Sequence, residues 1–447
     1  MYSFRKYLPF YKRNLNVALP VMITQAGQVV VQLADNIMVG HVGTAQLAGV
    51  SFANAIFVIG LVTLIGFSQG LTPLVGEAFV KGDHSSVARY LKNSFTLNAG
   101  VYGLLMLILA GVGAMMPFMG QDADVLQYAR LYYSINLFSL IPMMLFFTFR
   151  FFAEGVGNTK YAMWVTIASN ILNIFLNWVL IFGHFGLPAM GVAGAALSTV
   201  ISRIFCAVIF AAILLKAEAF RRYSREALRT PSDRGTTGVL LKLSLPIAFS
   251  SMLESMAFSL SAIMVGWMGK VQLAAHQVSM SLSQLSFLVA TGIGAAATIR
   301  VSHQYGAGKR DETIMAGKAA IHMAIFYMGL CGLIFVILKD IIPGLYTNDR
   351  EVVAVASRLI VVLAIYQIAD AIQLASMSAL RGLKDTRRPM LYAFVSYYIV
   401  AIPLGYLLGF TLGMGPEGVW CGLLLGLSVA AVLLYARFIR MSKRLFQ

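Results

Sequence analysis

The chain has 447 residues, 59% of them hydrophobic and only 12% charged, with a mean hydropathy of +0.78. A soluble globular domain carries about 25% charged residues, so this composition excludes one and calls for a polytopic membrane protein. The net charge of +16 would fit a nucleic-acid binder, but the cations lie in the connections between apolar segments, where they report orientation in the membrane.

Apolar stretches of about 20 residues, enough to cross a hydrocarbon core of ~30 Å, fall near 16–38, 51–76, 93–117, 129–152, 162–183 and 189–215. The first of these follows a basic stretch, is long enough to span and lacks a small-residue cleavage site, so it reads as a span rather than a cleaved leader. A polar stretch at 216–242 follows. Six more apolar stretches lie near 243–265, 275–299, 317–338, 352–378, 390–410 and 417–438. The segments are continuously apolar and about twice as long as barrel strands, which excludes a transmembrane barrel. The expected fold is therefore all-α and integral to the membrane: twelve transmembrane helices in two pseudo-symmetric six-helix bundles, 1–215 and 243–447, joined by a cytoplasmic linker at 216–242.

Cations crowd one set of alternate connections. These hold Lys6, Lys12 and Arg13, then Lys81, Arg89 and Lys92, then Lys160, then Arg221, Arg222, Arg225 and Arg229 in the linker. The same set continues with Lys309 and Arg310, then Arg381, Lys384, Arg387 and Arg388, and ends with Arg437, Arg440, Lys443 and Arg444. The other set holds little more than Arg130, Lys270, Lys339, Arg350 and Arg358. By the positive-inside rule both termini and the linker are cytoplasmic, and no nucleic-acid partner is expected.

The two halves repeat each other. Ile37-Met38-Val39-Gly40 recurs as Ile263-Met264-Val265-Gly266, an offset of 263 − 37 = 226. The same offset maps Pro20 onto Pro246, Gly66 onto Gly292, Gly82 onto Gly308 and Pro117 onto Pro343. Six helices separate equivalent points, so the repeats are parallel, as in one class of secondary transporter with its substrate path near the repeat interface. The carboxylates break the symmetry: Asp35 falls opposite Ser261, Glu254 opposite Gln28 and Asp370 opposite Met144.

Gln25, Gln28, Gln32 and Asp35 share one face of the first span, and Asn170, Asn173 and Asn177 share one face of the fifth. Lipid cannot satisfy such groups, so both stripes must look into a bundle or a water-filled cavity, either as interhelical glue or as a site. In the second half Glu254 lies in the seventh span, and Asp370 lies in the tenth between Tyr366 and Gln373. An acid at mid-span costs roughly 2.5–3.5 kcal/mol on insertion scales. Each such carboxylate must hold a proton or bind a cation, which makes Glu254 and Asp370 a Na⁺ candidate site; a protonated pair that only fixes helix packing is the alternative. Arg203 in the sixth span either snorkels or pairs with an acid. Glu77, Glu154 and Arg300, near helix ends, are given no transport role. Cys206, Cys331 and Cys421 are isolated, the histidines show no metal-ligand spacing, and no Walker A sequence exists, so neither a cofactor nor ATP is expected.

Together these residues resemble the multidrug and toxic compound extrusion (MATE) family, and within it the NorM branch, over essentially the whole chain. The resemblance rests on Pro20 to Gln32 followed by Ala34-Asp35-Asn36-Ile37-Met38-Val39-Gly40, and on its repeat copy Pro246 to Glu254 with Ile263-Met264-Val265-Gly266. Glu154-Gly155-Val156-Gly157-Asn158-Thr159 adds to it, echoed by Leu380-Arg381-Gly382-Leu383-Lys384-Asp385-Thr386 at an offset of 382 − 155 = 227. By resemblance, Glu254 and Asp370 match the family's cation-site acids with Tyr366 beside them. Asp35, with Asn173 and Asn177, matches the N-terminal cavity, where Gln28 and Gln32 also lie. Some relatives in other branches have an acid at the position of Asn177 and lack the Glu254 and Asp370 pair, which leans the coupling role toward the C-terminal lobe. The resemblance implies export of cationic or amphipathic drugs and dyes in antiport with Na⁺ or H⁺, by alternating access of the two bundles in the cytoplasmic (inner) membrane. A monomer is expected. A lipid-linked precursor flippase of the same superfamily would call for central Arg and Lys, where this chain has mostly acids. An intramembrane prenyl transferase would need paired Mg²⁺-binding acid motifs, which are absent.

Overall fold

The computed structural model describes residues 4–120 and 122–444, and within these the chain is helical without a strand. The first half runs through α1 (Phe4–Gly40), α2 (Thr44–Ser68), α3 (Leu71–Val80), α4 (His84–Met115), α5 (Ala123–Phe138), α6 (Leu140–Gly155), α7 (Lys160–Phe182) and α8 (Gly191–Lys216). After α9 (Glu218–Arg229) come α10 (Arg234–Gly266), α11 (Lys270–Gly306), α12 (Arg310–Ile337), the short α13 (Ile342–Tyr346) and α14 (Arg350–Gly382). The last span but one is built from α15 (Arg387–Phe394), a π-helical stretch Val395–Ala401, α16 (Ile402–Tyr406) and a second π-helical stretch Leu407–Thr411; α17 (Pro416–Arg444) follows. Eleven of these helical segments are long and apolar enough to cross a membrane, and the bent pair α5 and α6 makes a twelfth. The protein is thus a multi-pass, all-α membrane protein.

Two local features differ from the sequence reading. The span expected to run unbroken over 129–152 bends by 46° between α5 and α6. Pro142 has no N–H to continue the ladder and its ring crowds the carbonyl of Phe138 four residues back; the buried Ser139 hydroxyl donates to the Asn136 carbonyl at 2.5 Å, within the bend. The stretch 216–242, read as a polar tether, contains α9. Phe220, Tyr223 and Ala227 recur at helical spacing and are buried, while Arg221, Arg222, Arg225 and Arg229 stay exposed, so the segment gains an apolar face worth folding. It packs on α4 and α8, and His84 Nδ1 lies 3.0 Å from the Tyr223 hydroxyl. At the start of α4, Asp83 caps the helix by accepting from the Ser86 amide at 3.0 Å, and its hydrogen bonds to Ser86 hold the carboxyl below the usual carboxylate range.

The repeat is visible in the backbone. Gly82, between α3 and α4, and its partner Gly308, between α11 and α12, both have φ +72°, a left-handed turn in which glycine meets no steric penalty.

Contacts group the chain into two compact units, Ile23–Ala248, and Met1–Met22 with Phe249–Gln447. Boundaries at 215 and 243 follow the repeat, whereas the contacts divide the chain inside α1 and inside α10. Both divisions fall two residues after a proline in the helix interior, Pro20 and Pro246. In the unit Ile23–Ala248, Phe146, Phe147, Phe151, Phe152 and Phe210 of α6 and α8 dominate one core. Glu154 is buried there in an ion pair with Arg150 at 2.8 Å, which gives it a structural partner within its own helix.

In the other unit α14 packs against α11, α12 and α17, across a core rich in alanine: Ala296, Ala319, Ala320, Ala371, Ala375 and Ala379 are fully buried. Small side chains let helix backbones approach, which is how membrane helices gain packing without help from water. The closest approach is between α17 and the span before it. Gly418, Gly422 and Gly426 recur every fourth residue and face Gly409, Gly405 and Ala401; a Cβ on Gly418 would lie 2.6 Å from the Gly409 nitrogen, and one on Gly422 would overlap the Gly405 backbone.

Candidate functional site

The polar faces of α1 and α7 meet within the unit Ile23–Ala248. The Asn177 side-chain amide donates both to Asp35 and, at 3.2 Å, to the side-chain Oδ1 of Asn173 one turn away. Asn177 in turn accepts from the Ser198 hydroxyl of α8. Two turns back along α1 from Asp35, Gly27 lies so close to Asn170 that an added Cβ would stand 2.9 Å from its amide nitrogen. Asn177 is buried and Asp35 half-buried, so the carboxylate is held from one side and open on the other; Gln28 is half-buried and Gln32 exposed. Deep in a membrane such an acid is expensive unless a proton, a cation or a basic side chain compensates it.

The other unit gathers its groups around α14. Tyr366, Asp370 and Gln373 lie on one face, and Asp370 and Tyr366 are sealed, at 2% and 1% exposure. Glu254 of α10 is half-buried and reachable. The phenol of Tyr397 joins the two helices. It donates to Glu254 Oε1 at 2.8 Å and accepts from Gln373 Nε2 at 2.9 Å. Tyr397 lies in the π-helical stretch Val395–Ala401, the kind of local widening that recurs at functional sites. Behind Asp370, the Tyr366 ring meets the Trp420 indole edge to face at 5.6 Å, and Trp420 donates to His276 Nδ1 at 3.1 Å. Glu254 and Asp370 act on each other electrostatically, and Arg381 at the end of α14 acts on Glu254. Like charges in a low-dielectric interior repel, so a bound monovalent cation or a proton lowers the energy of the pair. The donor set is oxygen, from two carboxylates, a phenol and an amide, which suits a hard cation. Among the described residues no three His, Cys, Asp or Glu side chains converge as a transition-metal site.

A family model described as MatE matches residues 20–179 and 246–407, one match in each half. The chain belongs to the MatE family. Curated relatives cover nearly all of this MATE transporter. It is 32% identical over 440 residues to a probable multidrug resistance protein NorM of Agrobacterium fabrum, covering 97% of this chain and 94% of the relative. It is also 32% identical over 442 residues to the multidrug resistance protein MdtK of Pectobacterium atrosepticum, with 97% and 96% covered. Among solved structures, a multidrug resistance MATE transporter in an outward-facing conformation superposes with a TM-score of 0.88 at 20% identity, over 98% of this chain and 96% of that one. That likeness supports the fold.

Of the residues singled out in the sequence, the structure brings Asp35, Asn173 and Asn177 into one hydrogen-bonded cluster, while Gln28 and Gln32 lie along the same helix without a bond to it. It places Tyr366 and Asp370 on one sealed face, and links Glu254 to that face through Gln373 and Tyr397. Tyr397, Trp420, His276 and Arg381 are additions that spacing within single spans did not reveal. One signal was available: at the offset of 227 found for the later part of the repeat, Tyr397 falls opposite Asn170 (397 − 170 = 227), in the polar face of the fifth span.

Proposed function

We propose that this MATE transporter is a secondary active multidrug exporter that expels amphipathic organic cations in antiport with Na⁺ or H⁺, the coupling ion binding at Glu254 and Asp370. It acts as a monomer in the cytoplasmic membrane with both termini cytoplasmic, without ATP, cofactor or nucleic acid. The observation that carries the reading is the half-buried Glu254 carboxylate tied by the Tyr397 phenol to Gln373, on the same face of α14 as the sealed Asp370 carboxylate. An ion arriving at Glu254 compensates the pair, and the Tyr397 and Gln373 bonds pass the change to α14. Such a ligand shifts a two-state equilibrium only through its different affinity for the two states. The multidrug resistance names of the curated relatives support the substrate class. Exchange of one monovalent drug cation for one Na⁺ moves no net charge, while a neutral drug exchanged for Na⁺ gains about 2.3 kcal/mol per 100 mV.

Cells lacking their own pumps and loaded with ethidium are expected to clear the dye when an inward Na⁺ or proton gradient is imposed, and the effective gradient names the ion. No efflux under either gradient, with the protein confirmed in the membrane, overturns the proposal in favour of a lipid-linked precursor flippase. Tyr397→Phe keeps the ring and removes the hydroxyl. Its bond to a charged acceptor is worth about 1.5–3 kcal/mol, so the initial efflux rate at matched protein level is expected to fall at least about tenfold.

A further inference from the structure

A groove of about 280 Å³ opens between α12, α14 and α17, all in the unit formed by Met1–Met22 with Phe249–Gln447. Its lining includes Lys318, His322 and Ile325 of α12, Ile372 of α14, and Val432 and Tyr435 of α17, and no acidic side chain among the described residues. Three helices place it at one depth. At 1.5 Å per residue, Lys318 stands ~12 Å from the start of α12 (318 − 310 = 8 residues), Tyr435 ~14 Å from the end of α17 (444 − 435 = 9) and Ile372 ~15 Å from the end of α14 (382 − 372 = 10). The polar end of the groove therefore lies at the margin of the apolar spans, while Ile325 and Val432 line it further toward the membrane centre.

Lys318 and His322 are one turn apart on α12 and share a face. The Tyr11 hydroxyl lies 3.0 Å from His322 Nδ1, and the Tyr7 ring meets the imidazole edge to face at 5.3 Å, so the ring is held in place from α1. With the phenol donating to Nδ1 the ring proton sits on Nε2, which has no hydrogen-bond partner among the described residues. Two carboxylates at this end of the unit have cations of their own: Glu312 pairs with Lys309 at 3.0 Å and Asp385 with Arg437 at 2.8 Å.

We infer that the groove is a binding site for an anionic glycerophospholipid, its phosphodiester held by Lys318 and the His322 Nε2–H and an acyl chain laid along Ile325, Ile372 and Val432. An ammonium beside a phosphate makes a charge-assisted bond, and basic pockets between spans are where anionic headgroups bind. A zwitterionic lipid brings a cation of its own into the same place, which Lys318 repels. The site stands apart from drug and ion coupling. From the proposed function it takes only the orientation that puts this cation-rich end on the cytoplasmic side.

The test titrates full-length protein in a neutral detergent with dioleoylphosphatidylglycerol or dioleoylphosphatidylcholine and follows the first lipid adduct by native mass spectrometry. The phosphatidylglycerol adduct is expected at a concentration at least about fivefold lower, equivalent to ~1 kcal/mol for one lysine near the surface. Lys318→Met keeps the length of the stem and His322→Phe keeps a ring against Tyr7; together they are expected to abolish the preference. Lys160→Met, at an exposed position at the start of α7 in the other unit, is expected to keep it. Equal binding of the two lipids by the unaltered protein, a preference that persists in the double variant, or one lost equally in Lys160→Met overturns the inference. Inorganic phosphate at the concentration of the lipid is expected to leave the adduct in place; displacement by phosphate means that the anion is held without the apolar groove, and overturns the lipid. If the double variant does not fold, Lys318→Met alone decides: its preference falls at least about threefold, and an unchanged one overturns the site. No gradient or drug enters the experiment, so failure of the coupling assignment is read separately, from the efflux of Glu254 and Asp370 variants.

Discussion

Asp370→Asn is expected to abolish gradient-driven ethidium efflux, bringing the initial rate down to that of cells without the transporter, while the protein still inserts and folds. Asparagine matches the carboxyl in size, so the packing of Tyr366 against Trp420 should survive. What disappears is the charge. Asp370 is sealed at 2% exposure and lies within electrostatic range of Glu254. Losing one of the two anions removes half of the charge that attracts the coupling ion, and a loss of about 2.8 kcal/mol in ion affinity is a factor of about a hundred, at about 1.4 kcal/mol per tenfold. A fall of about a hundredfold follows, read as dye fluorescence against time at matched membrane protein. Glu254→Gln should behave alike, since its carboxylate receives the Tyr397 hydroxyl. Efflux at the normal rate from both variants would contradict the assignment of the ion to this pair.

Gly422→Leu is expected to cost the folded protein itself. The Cβ would enter the backbone of Gly405, with Ala401 close behind, and no side chain stands in the way that could rotate aside. Overpacking a closed contact costs about 1–3 kcal/mol and more when backbone must move, against a total stability of about 5–15 kcal/mol for a typical domain. The span before α17 contains two π-helical stretches and Pro403, so its own ladder offers little resistance to being pushed away. Detergent extracts run on a size-exclusion column should show the monodisperse peak reduced severalfold or lost. Gly329→Leu on α12, where nothing lies within 4 Å, should leave that peak unchanged. Equal loss in both would mean that leucine in a membrane helix, rather than this contact, is at fault.

Much of this arrangement was legible because it follows from periodicity. The repeat of Ile37-Met38-Val39-Gly40 as Ile263-Met264-Val265-Gly266 gave the two halves, and residues spaced three and four apart defined the faces of Asp35 and Asn177 before their contact was seen. The bond from Tyr397 to Glu254 was not legible in this way. It links residues 143 apart, and the π-helical stretch that aims Tyr397 shifts its face away from where a regular helix would put it. The helix α9 was hidden by composition: four arginines dominate its average, and only the spacing of Phe220, Tyr223 and Ala227 betrays the buried face. The bend at Ser139 was signalled by Pro142, but the apolar length alone read as continuous. The partner of Arg203 depended on the same bend, since Ser139 is the group that holds the guanidinium.

The division of α1 after Met22 and of α10 after Ala248 bears on how the chain is made. A ribosome delivers residues 1–22 ahead of the unit Ile23–Ala248, yet their own compact unit is completed only by residues 249–447, which come after it. The unit Ile23–Ala248, by contrast, is whole as soon as the opening stretch of α10 has emerged. Assembly therefore cannot proceed strictly in chain order: residues 1–22 must wait while the whole unit Ile23–Ala248 is made. The midpoint of the sequence is for the same reason a poor place to cut, because a break in the 216–242 stretch would strip the first unit of Arg234–Ala248 and strand Pro20 and its neighbours without the partners they are built to meet.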